Sequence, residues 1–248
     1  MTRPPIVSRE EWLEARRAHL ANEKRLTRLQ EELAAERRRL PWVKLDKTYT
    51  FDGPNGKETL GELFAGRRQL IVNHFMFGPG WAEGCVGCSF GADHVDAALP
   101  HLLQRDVSYV AVSRAPLEDI ERFQKRMGWR FKWLSSYGSD FNFDFHVSFT
   151  KEELARGRVF YNFEEQPLPY PTEELQGTSV FFKDDAGDVF HTYSSYARGG
   201  ENVLVTYACL DITPLGRDED NGPTKSLADW VKHHDKYEIG PSAKPACH

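Results

Sequence analysis

Cys85 and Cys88 are separated by two residues in a glycine-rich stretch of the chain. Side chains three residues apart lie on one side of a helical turn, close enough to form a disulfide. At the start of a helix, unpaired backbone N–H groups and the helix dipole favour a thiolate, which lowers the pKa of the first cysteine. The spacing therefore predicts a thiol-disulfide oxidoreductase in which Cys85 attacks a disulfide and Cys88 resolves the mixed disulfide.

A metal-binding or metal-dependent protein is the alternative interpretation, with Cys85, Cys88, His74 and His94 as ligands. Structural zinc sites use four ligands, often from two such pairs, whereas this sequence has one close pair. Neither histidine stands at a spacing typical of zinc sites. A non-catalytic scaffold is a third possibility. We predict an enzyme without a cofactor.

Several other side chains are candidates for the site. His74 closes the apolar stretch before the cysteines and could hold a proton near a sulfur. Trp81 is expected to pack beside the pair. Arg114 follows a predicted strand end, where α/β folds often gather functional groups, and could support a thiolate or bind an anion. Cys209 is predicted to lie in the core and Cys247 to be an exposed thiol without a role.

Composition excludes several classes of protein. The net charge is −5 with no long basic run, so nucleic-acid binding is not expected. The apolar stretches are too short to span a membrane. The first ten residues lack the apolar core of a secretory signal, and four cysteines are few for a secreted disulfide framework. We predict a cytoplasmic protein whose partner is a thiol or disulfide substrate, either a small molecule or a protein.

A long helix is predicted over residues 8–40. Ser8 can cap it, Glu10 and Glu11 suit its first turn, and Pro41 ends it. Its leucines form an irregular apolar stripe, which is typical of a helix packed on its own domain or of an arm that forms a homodimer.

Alternating strands and helices follow this helix. The predicted strands are residues 49–52, 69–77, 107–112 and 133–136, the predicted helices are 90–105, 117–127 and 202–210, and a β-hairpin is predicted over 178–194. This order favours an α/β fold with a mixed sheet, helices on both faces and an antiparallel hairpin at one side. Residues 152–175 are predicted to be irregular.

Ten short motifs are spread along the chain. They are SREEW (8–12), LPWV (40–43), HFMFGP (74–79), GCVGCSF (84–90), ADH (92–94), VSRAP (112–116), MGW (127–129), GSDFN (138–142), HTYS (191–194) and DITPLGRDE (211–219). In these motifs the chain resembles the bacterial thioredoxin-like family known as domain of unknown function 899, whose members are predicted dithiol-disulfide oxidoreductases. The resemblance covers residues 8 to 237. It implies a thioredoxin-like domain over residues 42–213, between an N-terminal helical extension (1–41) and a C-terminal tail (214–248).

Residues 110–147 also resemble part of the peroxiredoxin fold, a looser similarity. Peroxiredoxins place Thr or Ser three residues before the reactive cysteine, where this chain has Ala82, so we expect weak peroxide turnover. Thioredoxins place a cis-proline beside the cysteine pair. Gly177, Thr178 and Ser179 fill that place here. We therefore expect a trans peptide and a Thr178 side chain that binds substrate near the sulfurs.

Overall fold

The fold is described from a computed structural model, which places residues 4–238. The chain divides into two compact units, Met1–Trp42 and Val43–His248. The first unit contains helix α1, Arg9–Arg37, which has no buried side chain. Ser8 and Glu11 form the expected cap: the Glu11 N–H donates to Ser8 Oγ at 3.2 Å, and the Ser8 N–H donates to Glu11 Oε2 at 2.9 Å.

The second unit is built on a mixed sheet. Its strands are β1 Val43–Lys44, β2 Thr50–Gly53, β3 Gly56–Thr59, β4 Gln69–His74, β5 Val107–Ser113, β6 Lys132–Ser135, β9 Gly177–Lys183 and β10 Val189–Tyr196, and a separate hairpin contains β7 Arg158–Tyr161 and β8 Glu164–Pro167. The helices are α2 Val86–Leu103, α3 Leu117–Met127, α4 Phe141–Asp144, α5 Lys151–Ala155 and α6 Val205–Asp211.

The strand order is that of a thioredoxin-like fold. The sheet runs β1-β10-β9-β4-β5-β6-β2-β3. Strands β4 and β5 are parallel, β9 is antiparallel to β4, and β10 is antiparallel to β9. The predicted fold class is therefore confirmed. The boundaries on either side of the cysteine loop differ from the prediction: β4 ends at His74 instead of residue 77, and α2 begins at Val86 instead of residue 90. Both differences come from the cysteine loop, because the Cys85 N–H donates to the Met76 carbonyl at 2.9 Å.

Side chains alternate between the two faces of β4 and thereby enter two separate cores. Leu70 and Val72 pack on one face against Phe141 of α4. Ile71 packs on the other face, in the core that contains Cys88 and the apolar side of α3. One face of β4 therefore borders the core that contains Cys88, and the other borders the core that contains Phe141.

The segment after α6 returns to the domain. Leu227, Trp230 and Val231 pack with Phe90 of α2. Cys209 lies in a helix, as predicted, but it is exposed, so its expected place in the core is wrong. The residues predicted to be irregular contain α5, β7 and β8. Cys247 lies outside the described residues. Within residues 4–238, no helix combines the length and apolar character needed to cross a bilayer.

Candidate functional site

Cys85 is the N-cap residue of α2, and Cys88 lies in the helix's first turn. Cys85 is half-buried and Cys88 is buried, and both are free thiols. The first turn brings three donors to the Cys85 sulfur, namely the Cys88 thiol and the backbone N–H groups of Gly87 and Cys88. The cysteine spacing therefore places a hydrogen-bonded sulfur pair at a helix N-terminus, where a thiolate is favoured.

The two thiols have opposite acidities. The hydrogen bond from Cys88, together with the two backbone N–H groups, lowers the pKa of Cys85 to about 7 despite burial. The hydrogen bond to Cys85 and burial raise the pKa of Cys88 well above its ordinary value. Thiolate concentration controls nucleophilic attack, so the geometry favours Cys85 as the attacking atom and Cys88 as the later one.

A backbone N–H and a tyrosine lie close to the two sulfurs. The Met76 N–H donates to Cys88 Sγ at 3.5 Å, and the Tyr170 hydroxyl donates to Met76 Sδ at 3.6 Å. Burial, followed by the negative charge of the two cysteines, raises the pKa of Tyr170. Tyr170 lies in the segment before β9, where the sequence has no periodicity, so no local pattern indicates its place near the cysteines.

His74 lies away from the cysteines. It follows Leu70 and Val72 on β4, and its ring stacks on Phe141 and Phe145 at centroid distances of 5.3 and 5.5 Å. This is the face opposite to the core that contains Cys88. Burial lowers the pKa of His74 to about 3. The structure therefore does not bring His74 to the sulfurs, where we expected it to hold a proton.

His94 is also occupied elsewhere. Its Nε2 accepts from the Thr206 N–H at 3.1 Å, and its Nδ1 bonds the Phe90 carbonyl at 2.6 Å, which ties α2 to α6. Because both ring nitrogens of His94 are used and His74 faces the other core, the four-residue metal set of the alternative interpretation is not assembled. Among residues 4–238 no group of three or more His, Cys, Asp or Glu side chains is placed to hold a metal ion.

Arg114 and Trp81 both lie near Glu174, a residue that no sequence pattern indicates. Arg114 Nη1 lies 2.9 Å from Glu174 Oε1, in an ionic contact without the geometry of a hydrogen bond. A Cβ atom at Gly78 would lie 3.0 Å from the Trp81 indole nitrogen and 3.3 Å from Glu174 Cγ. Burial raises the pKa of Glu174 to about 7. Arg114, Trp81 and Glu174 thus form a small polar cluster beside the loop that leads to the cysteines.

Thr178 lies within β9 and pairs with Asn73 of β4 and Ser195 of β10. Asn73 alternates with His74, so this register position belongs to the cysteine side of the sheet. No cis peptide occurs within residues 4–238, which confirms the expected trans bond before Thr178. The role of Thr178 in binding substrate stays a prediction.

The C-terminal segment covers the cysteine loop. His233 Nε2 bonds the Gly84 carbonyl at 2.9 Å, and Lys236 Nζ donates to Glu83 Oε2 at 2.6 Å. Leu227 Cδ1 would lie 3.3 Å from a Cβ atom at Gly87. We call residues 226–236 the strap. No local pattern in the sequence indicates these contacts, because they join residues about 150 positions apart.

Comparison with known proteins places the chain in a family. The crystal structure of a cysteine-to-serine variant of PrxQ from Xylella fastidiosa is similar in fold. The alignment covers 67% of this chain and 94% of the PrxQ chain, with 13% identity and a TM-score of 0.43. The alignment with the peroxidoxin BcpB from Mycobacterium tuberculosis covers 69% of this chain and 97% of the BcpB chain, with 13% identity and a TM-score of 0.43. No curated protein matches. A family model described as "bacterial protein of unknown function (DUF899)" matches residues 1–237, and the chain belongs to this family.

Proposed function

We propose that the protein is a dithiol-disulfide oxidoreductase that uses Cys85 and Cys88 without a cofactor. The observation that carries the proposal is the hydrogen-bonded sulfur pair at the start of α2, in which the pKa of Cys85 is lowered to about 7 and that of Cys88 is raised. This asymmetry separates an attacking thiolate from a resolving thiol near neutral pH.

The reaction has two steps. The Cys85 thiolate attacks a substrate disulfide, forms a mixed disulfide and releases one substrate thiolate. Cys88 then gives its proton to that thiolate, attacks the Cys85 sulfur and releases the second substrate thiolate, which takes up a proton from solvent. The substrate disulfide is reduced to two thiols, and the protein is oxidised by two electrons to a Cys85–Cys88 disulfide.

The substrate class is a thiol or disulfide, small or macromolecular. Of the candidate binding residues, Trp81 and Arg114 lie with Glu174 beside the loop that leads to the pair. We assign these two residues and Thr178 to substrate binding. A homodimer through α1 and a cytoplasmic location remain predictions from the sequence.

The test is a disulfide-exchange assay in a background that carries Cys209→Ser and Cys247→Ser, so that only the pair can react. With 5,5′-dithiobis(2-nitrobenzoate), the reduced pair should release two equivalents of thionitrobenzoate and form an internal disulfide. Cys88→Ala should release one equivalent and keep the other as a stable adduct on Cys85, because the resolving sulfur is absent.

The matched variant Cys85→Ala should react slowly, because Cys88 is buried and burial by itself raises the pKa of its thiol. Mass spectrometry identifies the adduct and the internal disulfide. Formation of an adduct without an internal disulfide in the protein that retains both cysteines would contradict the proposal.

A further inference from the structure

A cavity of about 280 Å³ lies on the sheet face opposite to the cysteines. Aromatic rings form most of its wall, and the rings of Tyr49, Phe145, Phe160, Phe163 and Tyr196 all line it. Small-molecule sites are typically concave and apolar, with few polar groups that fix orientation. Here the polar lining comes from Asp144, His146, Asn162 and His191.

The backbone at the cavity wall is strained. His146, Asn162 and Phe163 have φ angles of 53°, 53° and 69°, in the left-handed region that bulky side chains rarely adopt. Asn162 and Phe163 form the two-residue loop between β7 and β8, where the second position favours glycine. Phe163 is nevertheless a large apolar residue, and it is 65% exposed. Strain at a bulky residue is common at ligand-binding sites, which makes Phe163 a candidate for a functional side chain.

A buried chain of hydrogen bonds fixes the proton on His191. His191 Nε2 lies 3.0 Å from the Tyr193 carbonyl, which can only accept, so this nitrogen is the one that carries the hydrogen. The same nitrogen lies 2.8 Å from Ser194 Oγ, which lies 2.9 Å from Ser179 Oγ, which in turn lies 2.8 Å from His74 Nε2.

Burial lowers the pKa of His191, so the ring is neutral and its Nδ1 is an acceptor. Within residues 4–238 no hydrogen bond of this nitrogen is found, and the His191 ring lines the cavity. A donor that enters the cavity can therefore reach an oriented acceptor.

Charge at the cavity is already compensated. Asp144 Oδ2 accepts from Lys47 Nζ at 2.7 Å and from the Tyr49 hydroxyl at 2.9 Å. A charged ligand would lose hydration among the aromatic rings without gaining a free counter-charge, which is unfavourable. The site therefore suits an uncharged ligand.

We propose that this cavity is a second binding site, independent of the cysteines, for a small neutral molecule that has an aromatic ring and a hydroxyl or N–H donor. The donor binds His191 Nδ1. The ring packs against Phe163 and Tyr196, whose own rings are 5.4 Å apart at the cavity wall. Phe163 therefore serves binding at the expense of local backbone stability.

Phenol and its methyl ether, anisole, test the proposal on the full chain, because both carry the ring and only phenol carries a donor. Saturation-transfer NMR and calorimetry should show phenol binding at least about fivefold more tightly than anisole. The ¹⁵N signal of His191 Nδ1 should shift on titration with phenol and not with anisole, because only phenol donates to it.

The decisive variant is Phe163→Gly. It should weaken phenol binding at least about fivefold and leave the melting temperature unchanged or raised, because glycine tolerates the left-handed backbone. Tyr137→Ala, which removes an exposed ring that does not line the cavity, is the control and should leave phenol binding unchanged.

Three results would overturn the proposal. They are equal affinity for phenol and anisole, phenol binding that Phe163→Gly does not weaken, and a lowered melting temperature for that variant, which would make the ring a packing residue. The ¹⁵N titration uses the unaltered chain, so it decides the question even where a variant is unstable.

Discussion

Oε1 of Glu174 lies 2.9 Å from Nη1 of Arg114, and the two side chains are only 2% and 17% exposed. The other carboxylate oxygen accepts a hydrogen bond from Ser148 Oγ at 2.6 Å. A guanidinium so near would ordinarily keep a carboxyl acidic. Burial is the larger effect here, and the pKa of Glu174 rises from 4.5 to about 7.

Glu174→Gln should remove a pH dependence of stability. The native state holds this proton up to about pH 7 and the unfolded chain releases it near 4.5, so the native protein loses stability as pH rises through that window. The loss amounts to at most about 3 kcal/mol. Urea unfolding at about pH 5 and about pH 8 measures it. Glu173→Gln, at the exposed neighbouring position, is the control and should keep most of the pH dependence, because the Glu173 charge is the smallest of the effects on the pKa of Glu174.

Cys88→Ala should raise the pKa of Cys85. The Cys88 hydrogen bond is the largest cause of the lowered value of about 7, and the two backbone N–H groups remain in the variant. The rate of alkylation by iodoacetamide, followed by mass spectrometry across pH, should show its midpoint move upward by about one unit or more. A midpoint that stays near 7 would mean that the helix N-terminus alone sets the acidity of this thiol.

Leu227→Ala should open the strap over the first turn of α2. The leucine methyl group would lie 3.3 Å from a Cβ atom at Gly87, so its removal uncovers the surface next to Cys85. Alkylation by a bulky maleimide should become about three- to tenfold faster, whereas alkylation by iodoacetamide should change little. Lys232→Ala removes an exposed side chain of the same segment and should alter neither rate. Equal acceleration with both reagents would indicate a change in thiol acidity instead of access.

Ser179→Ala should destabilise the fold by about 1–3 kcal/mol, because it leaves His74 Nε2 and Ser194 Oγ without a shared partner inside the protein. Ser195→Ala changes a less buried serine on the neighbouring strand and should cost less than about 1 kcal/mol. Denaturant titration measures both values. Similar values for the two variants would show that the buried chain adds little to stability.

Local signals in the sequence carry much of the fold. These signals act over a few residues: the cap at Ser8, the paired cysteines, and the alternation of apolar stretches with amphipathic helices. The corresponding elements form as expected. The cysteine pair was found for the same reason, because its chemistry depends on spacing within one helical turn.

Local sequence signals do not predict that His74 lies on the sheet face opposite to the cysteines. Strand β4 has apolar residues on both faces, with Leu70 and Val72 on one and Ile71 on the other, so its sequence does not reveal which face turns towards the cysteines. Glu174 and the strap reach the site through contacts with distant residues, such as Arg114 and Glu83. Such contacts leave no periodic trace in the sequence.

The separation of Glu83 and Lys236 along the chain also sets the order of events on the ribosome. The two residues are 153 positions apart. At about 5–20 residues per second, synthesis needs on the order of ten seconds to pass from one to the other. A newly made chain therefore presents its cysteine loop for that interval before the residues that cover it exist. During that interval the two cysteines are open to oxidants and to other disulfides. In the finished protein the strap covers the loop that carries them.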